Sequence, residues 1–333
     1  MTIKEIALLA NTSRGTVDRV LNGRGRVKKD VAERVLAIAR EYDYTPNQLA
    51  RALINSRKHF IIGVVINSLE NPFFDDVLQG IYKRAKYYTS YGLEVIVKQI
   101  KGYHEEEQLE AIDEMLGKKI DALAIMPLNF PGIVEKLKSL EIPILTFNTD
   151  LEEIDRIAFV GCDYKKSGNL SGDIAKLILG GGGKVGVIIG SFHMEGHNLR
   201  VEGFKERIAD NPDIRIVSIA ENYDDDVISY KVTQQMIEEK DPDLIYFGAA
   251  GVNGGVKAVM ESGKDIRVIT VDETAFAREC LKSGVIAATV TQQPLEQGAQ
   301  SINILYNYLA TRKTPKEKYH YTENQVKLKS SVE

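Results

Sequence analysis

Two sets of side chains in this 333-residue sequence have types and spacings suited to recognising a ligand. In "SRGTVDRVLN" (13–22), a helical rotation of about 100° per residue gathers Arg14, Gly15, Asp18 and Arg19 on one side. Val17, Val20, Leu21 and the flanking Thr16 fall on the other. A guanidinium presents a fixed fork of donors that matches guanine O6 and N7, and a glycine leaves room for a base edge. Ser13, Thr16, Asn22, Arg26 and Lys28 add hydroxyls, an amide and cations of the kind that hold phosphates. The second set follows the ends of short apolar runs: Asn71, Phe73 and Phe74; Asn148 and Thr149; His197, Asn198 and Arg200; Asp272; and Gln292. Aromatic rings can cover the apolar face of a sugar, while Asp, Asn, Arg and Gln divide its hydroxyls as acceptors and donors.

The elements that would position the first set are three short helices. "TIKEIALLA" opens with Thr2 followed three residues later by Glu5, a capping-box pattern, and puts Ile3, Ile6, Ala7 and Ala10 on one face. "NTS" (11–13) is a turn whose Ser13 can cap the second helix, and "NG" (22–23) ends that helix. A third helical pattern runs from about residue 30 to 42, with Val31, Val35, Leu36 and Ile38 or Ala39 available for packing. Two short helices joined by a tight turn and braced by a third follow the helix-turn-helix plan. The same spacing would also suit a small bundle with a solvated outer face.

The second set needs a different frame. From residue 60 onward about ten short apolar runs (60–66, 93–100, 120–128, 142–148, 157–161, 184–190, 214–220, 244–249, 266–272 and 286–292) alternate with helical patterns such as 74–89 and 105–116. That alternation predicts parallel sheets with helices on both faces. Ten strands are too many for one such sheet, so two lobes are expected, with the polar set at the carboxyl ends of the strands.

Composition narrows the class. Residues 1–58 carry 12 Lys+Arg against 6 Asp+Glu, a net +6, while the remainder carries 31 against 41, a net −10. A basic head on an acidic body suggests that the head alone meets a polyanion. No run approaches 18 apolar residues, and Lys4 and Glu5 interrupt the first apolar positions, so neither a spanning helix nor a secretory signal is expected. Cys162 and Cys280 match no metal spacing and read as reduced thiols of a cytoplasmic protein. "GGGGK" (180–184) lacks the Ser or Thr of a phosphate loop and precedes a strand, and "DDD" (224–226) reads as a helix start, with Asp224 near the pocket. No catalytic pair, metal cluster or cofactor motif stands out, so an enzyme is the weakest of the function classes.

"TIKEIALLANTSRGTVDRVLNGRGRV" with "YTPNQLARAL" resembles the head of LacI/GalR-family transcriptional regulators over the first 55 or so residues. The sequence departs from that pattern at Asn11, usually glycine, and at Asp18, usually serine. A carboxylate there must accept from a cytosine amine or pair with Arg14, four residues back on the same face. The resemblance implies that "QLARAL" (48–53) is a hinge helix capped by Asn47. On operator DNA it would pair with its mate through the small Ala50 and wedge Leu53 into the minor groove. It also implies a homodimer on a pseudo-palindromic operator, with tetramer formation left open.

"NPFF" (71–74), "HNLRVEGF" (197–204), "TVDE" (270–273) and "TVTQQP" (289–294) resemble the sugar-binding body of the same family, close to the ribose-binding type, over roughly residues 60–328. The implied whole is an all-α helix-turn-helix head (1–46), a hinge and linker (47–59) and an α/β body (60–333). The body would form two doubly wound parallel-sheet lobes of periplasmic-binding-protein type I architecture. The first lobe would comprise about 60–160 and 291–320, the second about 161–290 and 321–333. The implied effector is a sugar, polyol or sugar phosphate, with Asn148 and Thr149 departing from the Asp-Arg pair of the pentose-binding pattern and an asparagine missing near Ala249. A free solute-binding protein of a transporter would share this body but not the head.

Overall fold

The structure, a computed structural model, describes residues 3–21, 27–41, 59–67, 69 and 71–332. Thr2, Asn22, Arg26, Asn47, Ala50 and Leu53 lie outside the described residues, as does almost all of the 47–59 segment. The chain divides into two compact units, a head before Phe60 and a body that comprises Phe60–Thr89 and Leu93–Glu333.

In the head, α1 (Ile3–Leu9), α2 (Arg14–Leu21) and α3 (Lys29–Glu41) enclose a core of Ile6, Ala7, Ala10, Val17, Val35 and Ala39. Val20, Leu21, Val31 and Ile38 pack at its edge. Leu36, expected among the packing residues, is instead 37% exposed. Its neighbours Val35 and Ala39 already fill the inward face at helical spacing, so Leu36 falls to one side. Ser13 starts α2 as read from sequence: its hydroxyl accepts from the Thr16 amide at 3.1 Å and lies 2.9 Å from the Thr16 hydroxyl. Asn11 has φ +49°, in the left-handed region that asparagine tolerates better than most residues, which explains why asparagine can stand where the resembling family uses glycine.

The body contains two six-stranded sheets. In the first, the order is β11-β5-β4-β3-β1-β2, with β1 Phe60–Asn67, β2 Leu93–Ile100, β3 Ala122–Ile125, β4 Ile144–Phe147, β5 Ala158–Cys162 and β11 Tyr319–Thr322. Every neighbouring pair in it is parallel. In the second, the order is β12-β10-β9-β8-β6-β7, with β6 Gly183–Ile189, β7 Ile214–Glu221, β8 Leu244–Phe247, β9 Arg267–Val271, β10 Ala288–Thr291 and β12 Gln325–Lys327. Here β12 runs antiparallel to β10 while the other pairs are parallel. Central strands such as β3, β4, β8 and β10 are buried throughout because helices cover both faces, whereas the edge strands β2 and β7 are only half-buried.

The chain changes sheet three times, after β5, after β10 and between β11 and β12. The strands β5 and β11 run to Cys162 and Thr322, two residues past the lobe edges expected at 160 and 320. The strands β11 and β12 themselves escape the sequence pattern, being four and three residues long and mostly exposed or half-buried.

Helix pairs flank each sheet. In the first lobe α4 (Phe73–Thr89) crosses α12 (Pro294–Thr311), and in the second α7 (Tyr164–Leu179) crosses α8 (Glu195–Ile208). The remaining helices are α5 (Glu105–Gly117), α6 (Pro131–Lys138), α9 (Asp226–Lys240), α10 (Val252–Ser262) and α11 (Ala275–Ser283). Glycines make both crossings possible. A β-carbon on Gly80 would stand 2.1 Å from the Leu295 carbonyl oxygen, and one on Gly298 would stand 2.0 Å from that of Val77. Gly168 meets the Arg200 carbonyl oxygen and Gly203 that of Lys165 at 2.1 Å in the same way. Only hydrogen fits at such separations.

Candidate functional site

In the head, Arg14, Gly15 and Arg19 are exposed, Thr16 and Asp18 are half-buried, and Val17 is fully buried beneath them. Nothing in the head demands a glycine at 15, since a β-carbon there would meet only Arg19 Nη2 at 3.8 Å and Ser13 Oγ at 3.9 Å. Lys28, at the start of α3, is exposed, and Arg34 Nε closes the end of α1 by donating to the Ala10 carbonyl at 3.1 Å.

In the body, a cleft of about 380 Å³, mouth included, opens between the lobes at the carboxyl ends of the strands. The structure brings together Asn71, Phe73, Phe74, Asn148, Thr149, His197, Arg200, Asp272 and Gln292 around it, nine of the ten expected residues. The exception is Asn198, whose amide turns away to donate to the Phe192 carbonyl at 2.9 Å. The cause is helical geometry. Because α8 begins at Glu195, His197 and Arg200 share a face at a spacing of three, and Asn198 sits well round the cylinder.

Each side chain is set by its strand end. Asn71 caps α4, its Oδ1 accepting from the Phe73 amide at 3.1 Å. Phe73 and Phe74 are buried and meet edge to face, 5.0 Å between centroids. Asn148 and Asp272 follow β4 and β9 at φ +61° and +68°, strained left-handed turns at the strand ends that stand on the cleft wall. Asp272 accepts from Gln292 Nε2 at 2.8 Å, and Gln292 is held from behind by Gln297, whose amide donates to its carbonyl oxygen at 3.0 Å.

Arg200 donates through Nη1 to the Gly248 carbonyl at 2.8 Å and lies over the Tyr164 ring, 4.7 Å from its centroid. Its Nε and Nη2, and the hydroxyl of Thr149, are buried and find no partner among the described residues. Buried donors without a partner are costly, and three facing one cleft are suited to a ligand rich in acceptor oxygens.

Burial also sets the charges. The Asp272 carboxyl is pushed up to about 6 by burial, against the opposing pull of Arg200 and Gln292. Burial holds the His197 imidazole down at about 4, and its Nδ1 lies 3.1 Å from the Ser191 amide, which donates to it, and 3.2 Å from the Ser191 carbonyl oxygen.

Tyr103, Met126, Tyr164, Met194, Asp224 and Ala250 also line the cleft, as does Ala249, where the family pattern would have an asparagine nearby. Tyr103, Met126 and Tyr164 follow β2, β3 and β5, so the strand-end rule applied to those strands reaches them. Tyr103 donates its hydroxyl to Asp224 across the cleft, and Asn71 Nδ2 donates to the same carboxylate at 3.2 Å. The lobes also touch where Phe130 stacks on His193, 4.2 Å between ring centroids, and where the Asn129 amide donates to the His193 carbonyl at 3.1 Å.

A three-helix head with a basic outer face, joined to a two-lobed body with a polar and aromatic cleft, defines a ligand-responsive DNA-binding regulator. Residues 62–313 match the family described as periplasmic binding protein domain, and residues 2–47 match bacterial regulatory proteins of the lacI family. The chain belongs to the periplasmic binding protein domain family, and its head makes it a lacI-type transcriptional regulator.

It is 26% identical over 321 residues to catabolite control protein A of Priestia megaterium, covering 93% of this chain and 92% of that one. It is 27% identical over 329 residues to the ribose operon repressor of Halalkalibacterium halodurans, covering 96% and 93%. Among solved structures, the fold is similar to GanP, a glucose-galactose binding protein from Geobacillus stearothermophilus. That match has a TM-score of 0.77 and 24% identity over 83% of this chain and 99% of the other. Among the described residues no helix is long and apolar enough to cross a membrane.

Proposed function

We propose that the chain is a cytoplasmic repressor that binds a pseudo-palindromic operator as a homodimer and responds to a small carbohydrate-like effector held between its lobes. The observation that carries the effector half is the grouping of Arg200, Asp272 and Gln292 with the Phe73–Phe74 pair around one cleft. That set offers donors, an acceptor and an aromatic wall, the combination a sugar or polyol needs. Catabolite control protein A and the ribose operon repressor, whose names denote regulators, support the same reading across more than nine-tenths of the chain.

Arg14 and Arg19 are the base readers in this scheme, with Gly15 giving clearance and Asp18 either orienting Arg14 or accepting from a cytosine. Ser13, Thr16 and Lys28 hold the backbone, together with Thr2, Asn22 and Arg26, and the 47–53 segment with Asn47, Ala50 and Leu53 enters the minor groove. One recognition helix covers a half-site, hence two heads per operator. Effector binding biases lobe closure, and through the dimer it changes whether two hinge segments pair on DNA. The body acts as a sensor, without turnover.

The test is a gel shift with genomic fragments repeated at rising salt, beside thermal-shift screening against sugars and polyols. The reading expects one sequence-specific, salt-sensitive complex and a raised melting temperature with a carbohydrate. Sugar binding without sequence-specific DNA binding would leave a free solute-binding protein in its place.

A further inference from the structure

We propose that Asp224 makes this cleft selective for uncharged polyhydroxyl compounds and excludes their phosphate esters. The inference rests on the carbohydrate reading of the cleft and narrows it. Its first support is the charge balance of the lining. Arg200 is the one cation that lines the cleft among the described residues, and it faces two carboxylates, Asp224 and Asp272. Tyr103 and Tyr164 are kept neutral by burial, as is His197. A phosphate ester would bring up to two further negative charges to a desolvated wall with no surplus cation.

The second support is independent of charge. Phosphate is usually bound by free backbone amides at the start of helices, and several helices begin at this cleft. Here an amide at the start of α4 and three in the loops that lead to α8 and α10 are occupied by the protein's own acceptors. Asn71 Oδ1 takes the Phe73 amide at 3.1 Å, and His197 Nδ1 takes that of Ser191 at 3.1 Å. Glu221 Oε1 takes the Phe192 amide at 2.7 Å, and Asp224 Oδ1 takes that of Ala250 at 3.1 Å.

Asp224 thus occupies, as a fixed carboxylate, a place where an anionic ligand would need donors. It is built in rather than flexible. Tyr223 and Asp224 are both left-handed, at φ +54° and +57°, and the Asp224 amide is tied to Asn222 Oδ1 at 3.0 Å. Tyr103 and Asn71 fix the carboxylate from the opposite lobe. A closed cleft therefore keeps this charge beside the ligand.

The experiment is a calorimetric titration of the full-length protein with a panel of neutral pentoses, hexoses, hexitols and inositol, each paired with its monophosphate. Wild-type protein is expected to bind at least one neutral compound about tenfold or more tightly than its ester. In Asp224→Asn, which keeps the size but not the charge, that ratio should fall by about tenfold, with ester affinity rising relative to the parent. Tyr103→Phe, which keeps the carboxylate while removing a lobe contact, should preserve the ratio even if both affinities drop. An ester bound by wild type as tightly as its parent overturns the proposal and leaves the carbohydrate reading standing. Equal ratios in wild type and Asp224→Asn also overturn it. If no member of either series binds, the carbohydrate reading itself fails and takes this inference with it.

Discussion

The backbone oxygen of Arg200 would stand 2.1 Å from a β-carbon on Gly168, so the guanidinium in the cleft is planted by a glycine on the neighbouring helix. The crossing of α7 and α8 fixes where Arg200 leaves the backbone, and Tyr164, at the start of α7, supplies the ring beneath its side chain. Support for the site thus lies in the packing one layer behind it.

Gly168→Ala should accordingly act on both stability and effector affinity. Forcing a methyl against backbone costs about 1–3 kcal/mol and pushes the helices apart. Urea denaturation should show the loss, and effector affinity should fall because Arg200 moves. Full effector affinity in a destabilised variant would separate the crossing from the site.

Arg19→Ala tests the head. Losing a bidentate contact to guanine should weaken specific operator binding by about 1–3 kcal/mol while weak binding to scrambled duplex barely changes. Equal losses on both duplexes would assign Arg19 to the phosphate backbone.

Asp272→Ala should abolish the effector response. Operator affinity measured without effector should stay at the wild-type level, because Asp272 belongs to the body's cleft. The readout is operator dissociation on addition of effector. A normal response would remove Asp272 from the binding set.

Two buried groups make opposing contributions to stability as a function of pH. His197 titrates near 4 rather than 6.5, so its contribution is present above about 6.5 and lost as pH falls through 4. Asp272 titrates near 6 rather than 3.8, so its contribution is present below about 3.8 and lost as pH rises through 6. Between 4 and 6 the two slopes oppose, each about 1.4 kcal/mol per pH unit. In His197→Gln the Asp272 slope should remain, and the melting temperature should fall from pH 4 to 6 relative to wild type. In Asp272→Asn it should rise over the same interval. Parallel curves for all three proteins would sink this account.

Much of the cleft was legible because a doubly wound sheet has a simple rule, with ligands at strand ends, and because short β-branched runs announce strands. Arg200, Asp272 and Gln292 could be located in that way. Tyr103 was harder, since it sits in "KGYHEEE" (101–107), where its polar neighbours suggest a solvated loop and only the opposite lobe gives it Asp224 as partner. Asn198 shows the reverse error, because a run of polar residues on a helix does not share one face. The last two strands gave little signal, because exposed edge strands of three or four residues carry almost no hydrophobic pattern.

The three changes of sheet have a consequence for synthesis. The first lobe takes its edge strand from Tyr319–Thr322 and the second from Gln325–Lys327, so neither sheet is complete until nearly the whole chain has left the ribosome. The helices of the head, in contrast, end at Glu41 and close their core through local contacts alone. During translation, a folded head would precede its sensor by almost 290 residues, about a quarter of a minute to one minute at ordinary elongation rates. For that interval the nascent protein carries a folded head with no finished body to govern it.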